Sequence, residues 1–250
     1  MSETFFNPQS DFHSSIVIIG AGPAGLATAV TLTRHLLSCK VFDKALTKND
    51  ATKATGLHPE TTEFLIKCGG KGNILENGHL LLGNKMYADQ QLAAEELFEN
   101  GADLLTSNIS LEQSITETIL ENHLNSLGVQ VERGVELQNV TADATGTSLL
   151  LKRGEQHWQH WADLVVGADG INSTTRTGLN IDCPGSTSEA LSFSLNCEVY
   201  GRDLSHDFCH RFFRVGETMT LVPMRGDPSF EGSPGGGPSL EGSTGQARGR

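Results

Sequence analysis

The residues best suited to chemistry lie near the start of the chain. Gly20-Ala21-Gly22-Pro23-Ala24-Gly25 is a G-x-G-x-x-G that follows the apolar run Ile16-Val17-Ile18-Ile19. In a chain with 28 glycines the pattern alone is a weak signal; leaving a buried strand and opening a helix makes it informative. There, Gly20 permits a tight turn, Gly22 lets a diphosphate approach the backbone, and Gly25 lets helix and strand pack closely. The helix N-terminus, with unpaired N–H groups and the positive end of its dipole, then binds the diphosphate. Asp43, with Lys44 beside it, closes the next strand. A carboxylate there accepts hydrogen bonds from a ribose diol and repels a 2′-phosphate, which selects FAD or NAD over NADP. The bland alternative is a generic strand–helix turn with Asp43 as a solvated strand end.

The elements that must position these groups follow from hydrophobic pattern. Ile16–Ile19 predicts a strand buried on both faces, Leu26–Leu37 a helix, and Cys39–Phe42 a second strand, together one βαβ unit. A helix is predicted over Thr61–Lys67, with Gly69, Gly70, Gly72 and Gly78 breaking the chain after it, and short strands at Leu80–Leu82 and Lys85–Tyr87. Ser114 and Glu117 read as a capping box opening a helix that runs to Gly128. Strands are predicted over Val129–Glu132, Val135–Thr141 and Thr147–Lys152, and a second buried strand at Leu164-Val165-Val166 enters Gly167-Ala168-Asp169-Gly170. Leu191–Val199, Arg211–Val215 and Met219–Pro223 predict a separate antiparallel sheet. From Gly226 to Arg250, 15 of 25 residues are Gly, Ser or Pro, too few apolar side chains to offset ordering entropy, so this tail is expected to be disordered.

Composition narrows the partners. The 250 residues carry a formal charge of −12, which repels phosphate backbones, and no basic stripe appears, so nucleic acid is not expected. Five scattered cysteines without a CxxC pair argue against a disulfide framework or zinc site and fit a reducing compartment. With neither a signal-peptide pattern in the first fifteen residues nor an apolar run of membrane-spanning length, a cytoplasmic protein without stable membrane insertion is expected. His157 and His160 form the one histidine cluster. They lack further ligands at metal-binding spacing, so surface residues are expected and no metal. Cys39 reads as a buried small apolar residue. No hydrolase elbow, zinc-protease helix or P-loop pattern occurs.

A second motif separates FAD from NAD. Gly167-Ala168-Asp169-Gly170-Ile171-Asn172-Ser173-Thr174-Thr175-Arg176 resembles the GADGxxSxVR segment of the aromatic-ring flavoprotein monooxygenases, the para-hydroxybenzoate hydroxylase-like family. Lys53-Ala54-Thr55-Gly56-Leu57-His58-Pro59 is similar to that family's R-A-x-G-L-x-P, and Leu111–Glu117 to its L-P-Q-x-x-T-E. These motifs span about Ile16 to Arg176, and weaker similarity continues to Arg225.

The resemblance implies an α/β fold: a Rossmann-like FAD-binding domain over 15–180, with part of the substrate lobe inserted around 70–105. An interleaved antiparallel substrate sheet over 181–225 precedes the 226–250 tail. It further implies that Gly20–Gly25 and Asp43 hold the ADP half of FAD, that Lys53 approaches a flavin phosphate or ribose, and that Gln113 hydrogen-bonds the cofactor. Asp169, Gly170 and Arg176 would close over the pyrophosphate and help recognise the nicotinamide nucleotide. A lysine at 53, where the family usually has Arg, keeps the charge and loses the planar fork. The bland alternatives are a structural ion pair for Arg176 and a backbone-bonded helix-entry residue for Gln113.

The implied activity is hydroxylation of an aromatic or phenolic small molecule, through a flavin hydroperoxide, with dioxygen and NADH or NADPH. No side chain stands out as a catalytic acid or base. The family's later G-D-x-x-H segment has no counterpart, so the domain is expected to be incomplete at its C-terminus. Two alternatives stay open: a truncated FAD-binding fragment without turnover, and a reductase, dehydrogenase or halogenase of the same fold.

Overall fold

A computed structural model describes residues 13–48, 56–89, 91–186, 191–198, 204–225 and 239–246. Lys53, residues 226–238 and residues 247–250 lie outside the described residues. The chain divides into two units, 1–50 with 117–184 and 51–116 with 185–250.

The chain begins β1 (His13–Ile19), α1 (Pro23–Arg34), β2 (Cys39–Asp43) and β3 (Gly56–Leu57). Next come α2 (Pro59–Lys67), α3 (Lys71–Asn77), β4 (His79–Leu80), β5 (Gly83–Ala88), β6 (Gln91–Leu97) and β7 (Ile109–Ser110). Helix α4 (Gln113–Ser126) leads to β8 (Val131–Arg133), β9 (Glu136–Asp143), β10 (Gly146–Arg153) and β11 (Gln156–Gly167). The remainder is α5 (Thr174–Gly178), β12 (Leu191–Glu198), β13 (Phe208–Arg214), β14 (Glu217–Pro223) and β15 (Ser239–Gln246).

The first unit is a six-stranded sheet in the order β8-β2-β1-β11-β10-β9. β8, β2, β1 and β11 run parallel, and β9–β11 form an antiparallel meander. Ile16, Val17, Ile18 and Ile19 are all buried, as a central parallel strand requires. Val17 and Ile19 join Phe42, Val135, Leu137, Val140, Leu149 and Leu151 in one core cluster. Helix α1 contributes Leu26, Ala29 and Val30, all fully buried, and a buried Leu or Val side chain stabilises the fold by roughly 1.5–3 kcal/mol. From β1 the chain winds outward through α1 to β2, later adds β8 beyond it, and places β11 on the other side. β1 and β11 thus flank the topological switch point of the sheet, where ligands of open α/β sheets bind.

The second unit holds a mixed sheet in the order β12-β15-β14-β13-β5-β6 and a three-stranded sheet β3-β7-β4. β12, β15, β14 and β13 pair antiparallel, as expected for the strands after residue 190, and β13 runs parallel to β5, which pairs antiparallel with β6.

Three expectations are overturned. Residues 239–246 form a strand where disorder was expected: β15 pairs with β12 on one side and β14 on the other, so its backbone groups gain ladders on both edges. Helix α4 starts at Gln113, with Ile115 and Thr116 donating their N–H groups to the Glu112 carbonyl. Ser114 therefore lies inside the first turn rather than capping it. Leu164 is 53% exposed, and Val165 and Val166 are only half-buried. β11 is central in its sheet, which protects its backbone without requiring both faces to be covered at its end.

Candidate functional site

The parallel pairing of β1 with β11 brings together two loops far apart in the sequence. The Ala168 N–H donates to the Ile19 carbonyl at 2.7 Å, and the Gly20 N–H donates to the Phe42 carbonyl, also at 2.7 Å. The glycine motif and the Gly167–Gly170 motif thus meet at the switch point, joined through the backbone hydrogen bond from Ala168 to Ile19.

Each glycine of the first motif has a distinct constraint. Gly20 has φ +103, and a Cβ there would lie 2.3 Å from the Ala168 carbonyl oxygen. At Gly25 a Cβ would lie 1.9 Å from the Gly20 carbonyl oxygen. At Gly22 it would meet nothing within 4 Å, so no contact with the chain requires glycine there. Gly22 is also the N-cap of α1, without a side-chain cap, and is followed by Pro23. Open space above an uncapped helix N-terminus is what a diphosphate needs, so the residues fit a dinucleotide. Ala21 is buried and Ala24 exposed beside them.

Asp43 is tied to this loop. Its Oδ2 accepts the Ala21 N–H at 2.6 Å and its Oδ1 accepts the Ala45 N–H at 2.8 Å. A carboxylate oxygen accepts two hydrogen bonds, so capacity for ribose hydroxyls remains. Lys44 is exposed.

Asp169 organises the other loop. Its Oδ1 accepts the Ser173 hydroxyl at 2.5 Å, and its Oδ2 accepts the Thr175 N–H at 3.0 Å and the Thr175 hydroxyl at 3.2 Å. Burial pushes the Asp169 carboxyl up, but these hydrogen bonds outweigh it and hold its pKa below the ordinary value. Ser173 caps α5 by accepting the Arg176 N–H at 2.9 Å, and Gly170 takes φ +82. The Arg176 guanidinium donates to the Ile171 carbonyl at 2.9 Å, so its fork is anchored to its own loop rather than in a carboxylate pair.

The first unit therefore gathers Gly20–Gly25, Asp43, Lys44, Asp169, Gly170 and Arg176. Gln113 opens α4 in the other unit, and Lys53 lies outside the described residues. Two features escaped the sequence. One is a charged cluster, Arg133, Glu121 and Lys48, against Asp43. The other is His160, expected at the surface beside His157: His157 is exposed, but His160 is 1% exposed and bonds the Ser14 hydroxyl at 3.0 Å. The signal was its register opposite the fully buried Leu149, because directly paired residues share a face of the sheet.

The model of the FAD binding domain family matches residues 13–230. The chain belongs to that family. It is 30% identical over 229 residues to a flavin-dependent monooxygenase of Mycobacteroides abscessus, covering 87% of this chain and 47% of that protein. It is likewise 30% identical over 219 residues to the 6-methylpretetramide 4-monooxygenase of Streptomyces rimosus, covering 86% of this chain and 39% of the relative. The chain thus spans about half or less of the length of these curated relatives. Among solved structures, the flavin-dependent monooxygenase PieE in complex with FAD and substrate superposes with a TM-score of 0.76 at 18% identity. That match covers 96% of this chain and 44% of the other, and it supports the α/β fold of the FAD binding domain. No helix among the described residues is long and apolar enough to cross a membrane, and none of their His, Cys, Asp and Glu side chains cluster as a metal site.

Proposed function

We propose that the chain forms the FAD-holding part, with a share of the substrate lobe, of a monooxygenase that hydroxylates an aromatic or phenolic small molecule. NADH or NADPH serves as reductant and dioxygen as co-substrate. The observation that carries this reading is the meeting of the Gly20–Gly25 and Gly167–Gly170 loops at the switch point of the sheet, beside Asp43. The names of the relatives, flavin-dependent monooxygenase and 6-methylpretetramide 4-monooxygenase, support the reaction class. The thiols of Cys39, Cys183 and Cys209, which form no disulfide among the described residues, fit a cytoplasmic setting.

FAD, when bound, supplies the redox chemistry: it takes up hydride and activates dioxygen. The chain binds and orients it. The N-terminus of α1 receives the diphosphate over the side-chain-free Gly22, and Asp43 takes the ribose hydroxyls. Asp169 fixes the loop that carries Gly170 and Arg176, whose guanidinium has donors left for a phosphate. For Lys53 and Gln113 the support is the likeness of their motifs to those of the family. In the second unit Tyr87 and Phe212 stack at 4.7 Å, and the Tyr87 hydroxyl lies 3.0 Å from His210 Nδ1. This is an aromatic surface suited to a ring substrate.

The test is oxidation of NADH or NADPH by the FAD-loaded chain in the presence of a panel of phenols, with oxygen uptake and hydroxylated product measured together. Product formation matching nicotinamide consumption supports the proposal. Retained FAD with no nicotinamide oxidation would leave a cofactor-binding fragment. Nicotinamide oxidation without oxygenated product would indicate a reductase or dehydrogenase.

A further inference from the structure

Asp43 does not face solvent alone. It ends β2 in direct register with Arg133, the last residue of β8, and Arg133 Nη1 lies 3.9 Å from Asp43 Oδ1. That separation is too long for a hydrogen bond and short for a charge pair. The other arm of the guanidinium, Nη2, donates to Glu121 Oε2 of α4 at 2.9 Å, and the same oxygen lies 3.1 Å from Lys48 Nζ. Side-chain exposure is only 19% for Arg133, 16% for Asp43 and 12% for Glu121, so water screens the cluster weakly. Two cations and two anions alternate along it, Lys48, Glu121, Arg133 and Asp43. They draw one strand end, one helix and the loop after β2 to the carboxylate that faces the glycine turn.

We propose that Arg133 is a positioning residue for recognition of the adenosine ribose: its guanidinium, anchored by Glu121, which Lys48 also pairs with, holds the Asp43 carboxylate in the orientation that receives the 2′- and 3′-hydroxyls. This rests on the reading of Asp43 as a ribose ligand. The Ala21 and Ala45 N–H groups fix one acceptor position on each carboxylate oxygen, and the cation opposes rotation away from them. A planar fork suits the task because one arm serves Glu121 while the other faces Asp43. Lysine has a single point of attachment and cannot serve both in the same way.

The experiment is FAD binding, followed by flavin fluorescence, for the full chain and for R133M, R133K, D43N and the R133M/D43N double variant. Each is titrated with FAD and with its 2′-deoxyadenosine counterpart, and thermal midpoints are recorded in parallel. The unsubstituted chain is expected to prefer FAD. R133M should weaken FAD by about tenfold, the weight of one charge-assisted contact, and should shrink the preference over the deoxy counterpart. R133K should fall between. In the D43N background R133M should have little further effect on FAD binding, because the two act as one unit.

An R133M substitution that weakens both ligands by the same factor, or that costs as much in the D43N background as without it, would make Arg133 a structural clamp and overturn the proposal. Should R133M fail to fold, R133K with an unchanged preference overturns it equally. Failure of the unsubstituted chain to bind FAD would overturn the ribose-site reading itself, and this proposal with it.

Discussion

Replacing His160 with asparagine should flatten the loss of stability on mild acidification. His160 is 1% exposed, packs edge-on to Phe42 with ring centroids 5.5 Å apart, and bonds the Ser14 hydroxyl. Burial, with smaller contributions from the positive charges of Lys40 and His13, pushes its pKa from 6.5 down to about 4. The folded chain thus holds the imidazole neutral while the unfolded chain takes up a proton. The stabilisation is present in full above about pH 6.5 and is lost as pH falls from there towards 4. Integrating between those two values gives a loss of about 2 kcal/mol from pH 7 to pH 5. Urea unfolding of the native chain and of H160N at the two pH values measures it. The variant will start less stable, but its loss between pH 7 and pH 5 should be smaller by about 2 kcal/mol. Equal losses for the two chains would rule out a buried, neutral imidazole as their source.

Other outcomes follow from the same geometry. Gly25→Ala places a Cβ against the Gly20 carbonyl and should destabilise the chain by about 2 kcal/mol or more, seen as a lowered urea midpoint. Gly22→Val places its Cβ where no atom of the chain lies within 4 Å and should leave stability within about 1 kcal/mol while weakening FAD by at least about tenfold, a separation that a binding titration and a melt establish together. Asp169→Ala removes three hydrogen bonds that order the α5 loop and should cost about 2 kcal/mol and weaken FAD, both measurable on one preparation.

The legible parts of the sequence are those whose partners are near in the chain. Strand, glycine turn, helix and Asp43 fit within one βαβ unit, so their periodicity and punctuation suffice to place them. The meeting with Gly167–Gly170 depends on β11 lying beside β1, which no local pattern encodes; a resemblance between motifs is needed to suggest it. His160 misleads because a histidine beside exposed Trp161 and His157 reads as surface until the register with Leu149 is known. The Arg133 cluster is invisible for the same reason, since Lys48, Glu121 and Arg133 come from three separate parts of the chain. The failure at β15 is of another kind: counting apolar side chains ignores the backbone ladders available to a strand between two others. Helix α3 carries Gly72 inside it, and a glycine read as a breaker is tolerated there at a modest helical cost.

That the two loops joined at the switch point hold FAD is open to a simple test: the visible absorption spectrum of the purified chain, taken with added FAD and again after desalting. An oxidised-flavin spectrum that stays with the protein, and is lost in G22V, is the expected result. A colourless protein that cannot be loaded with FAD would contradict it.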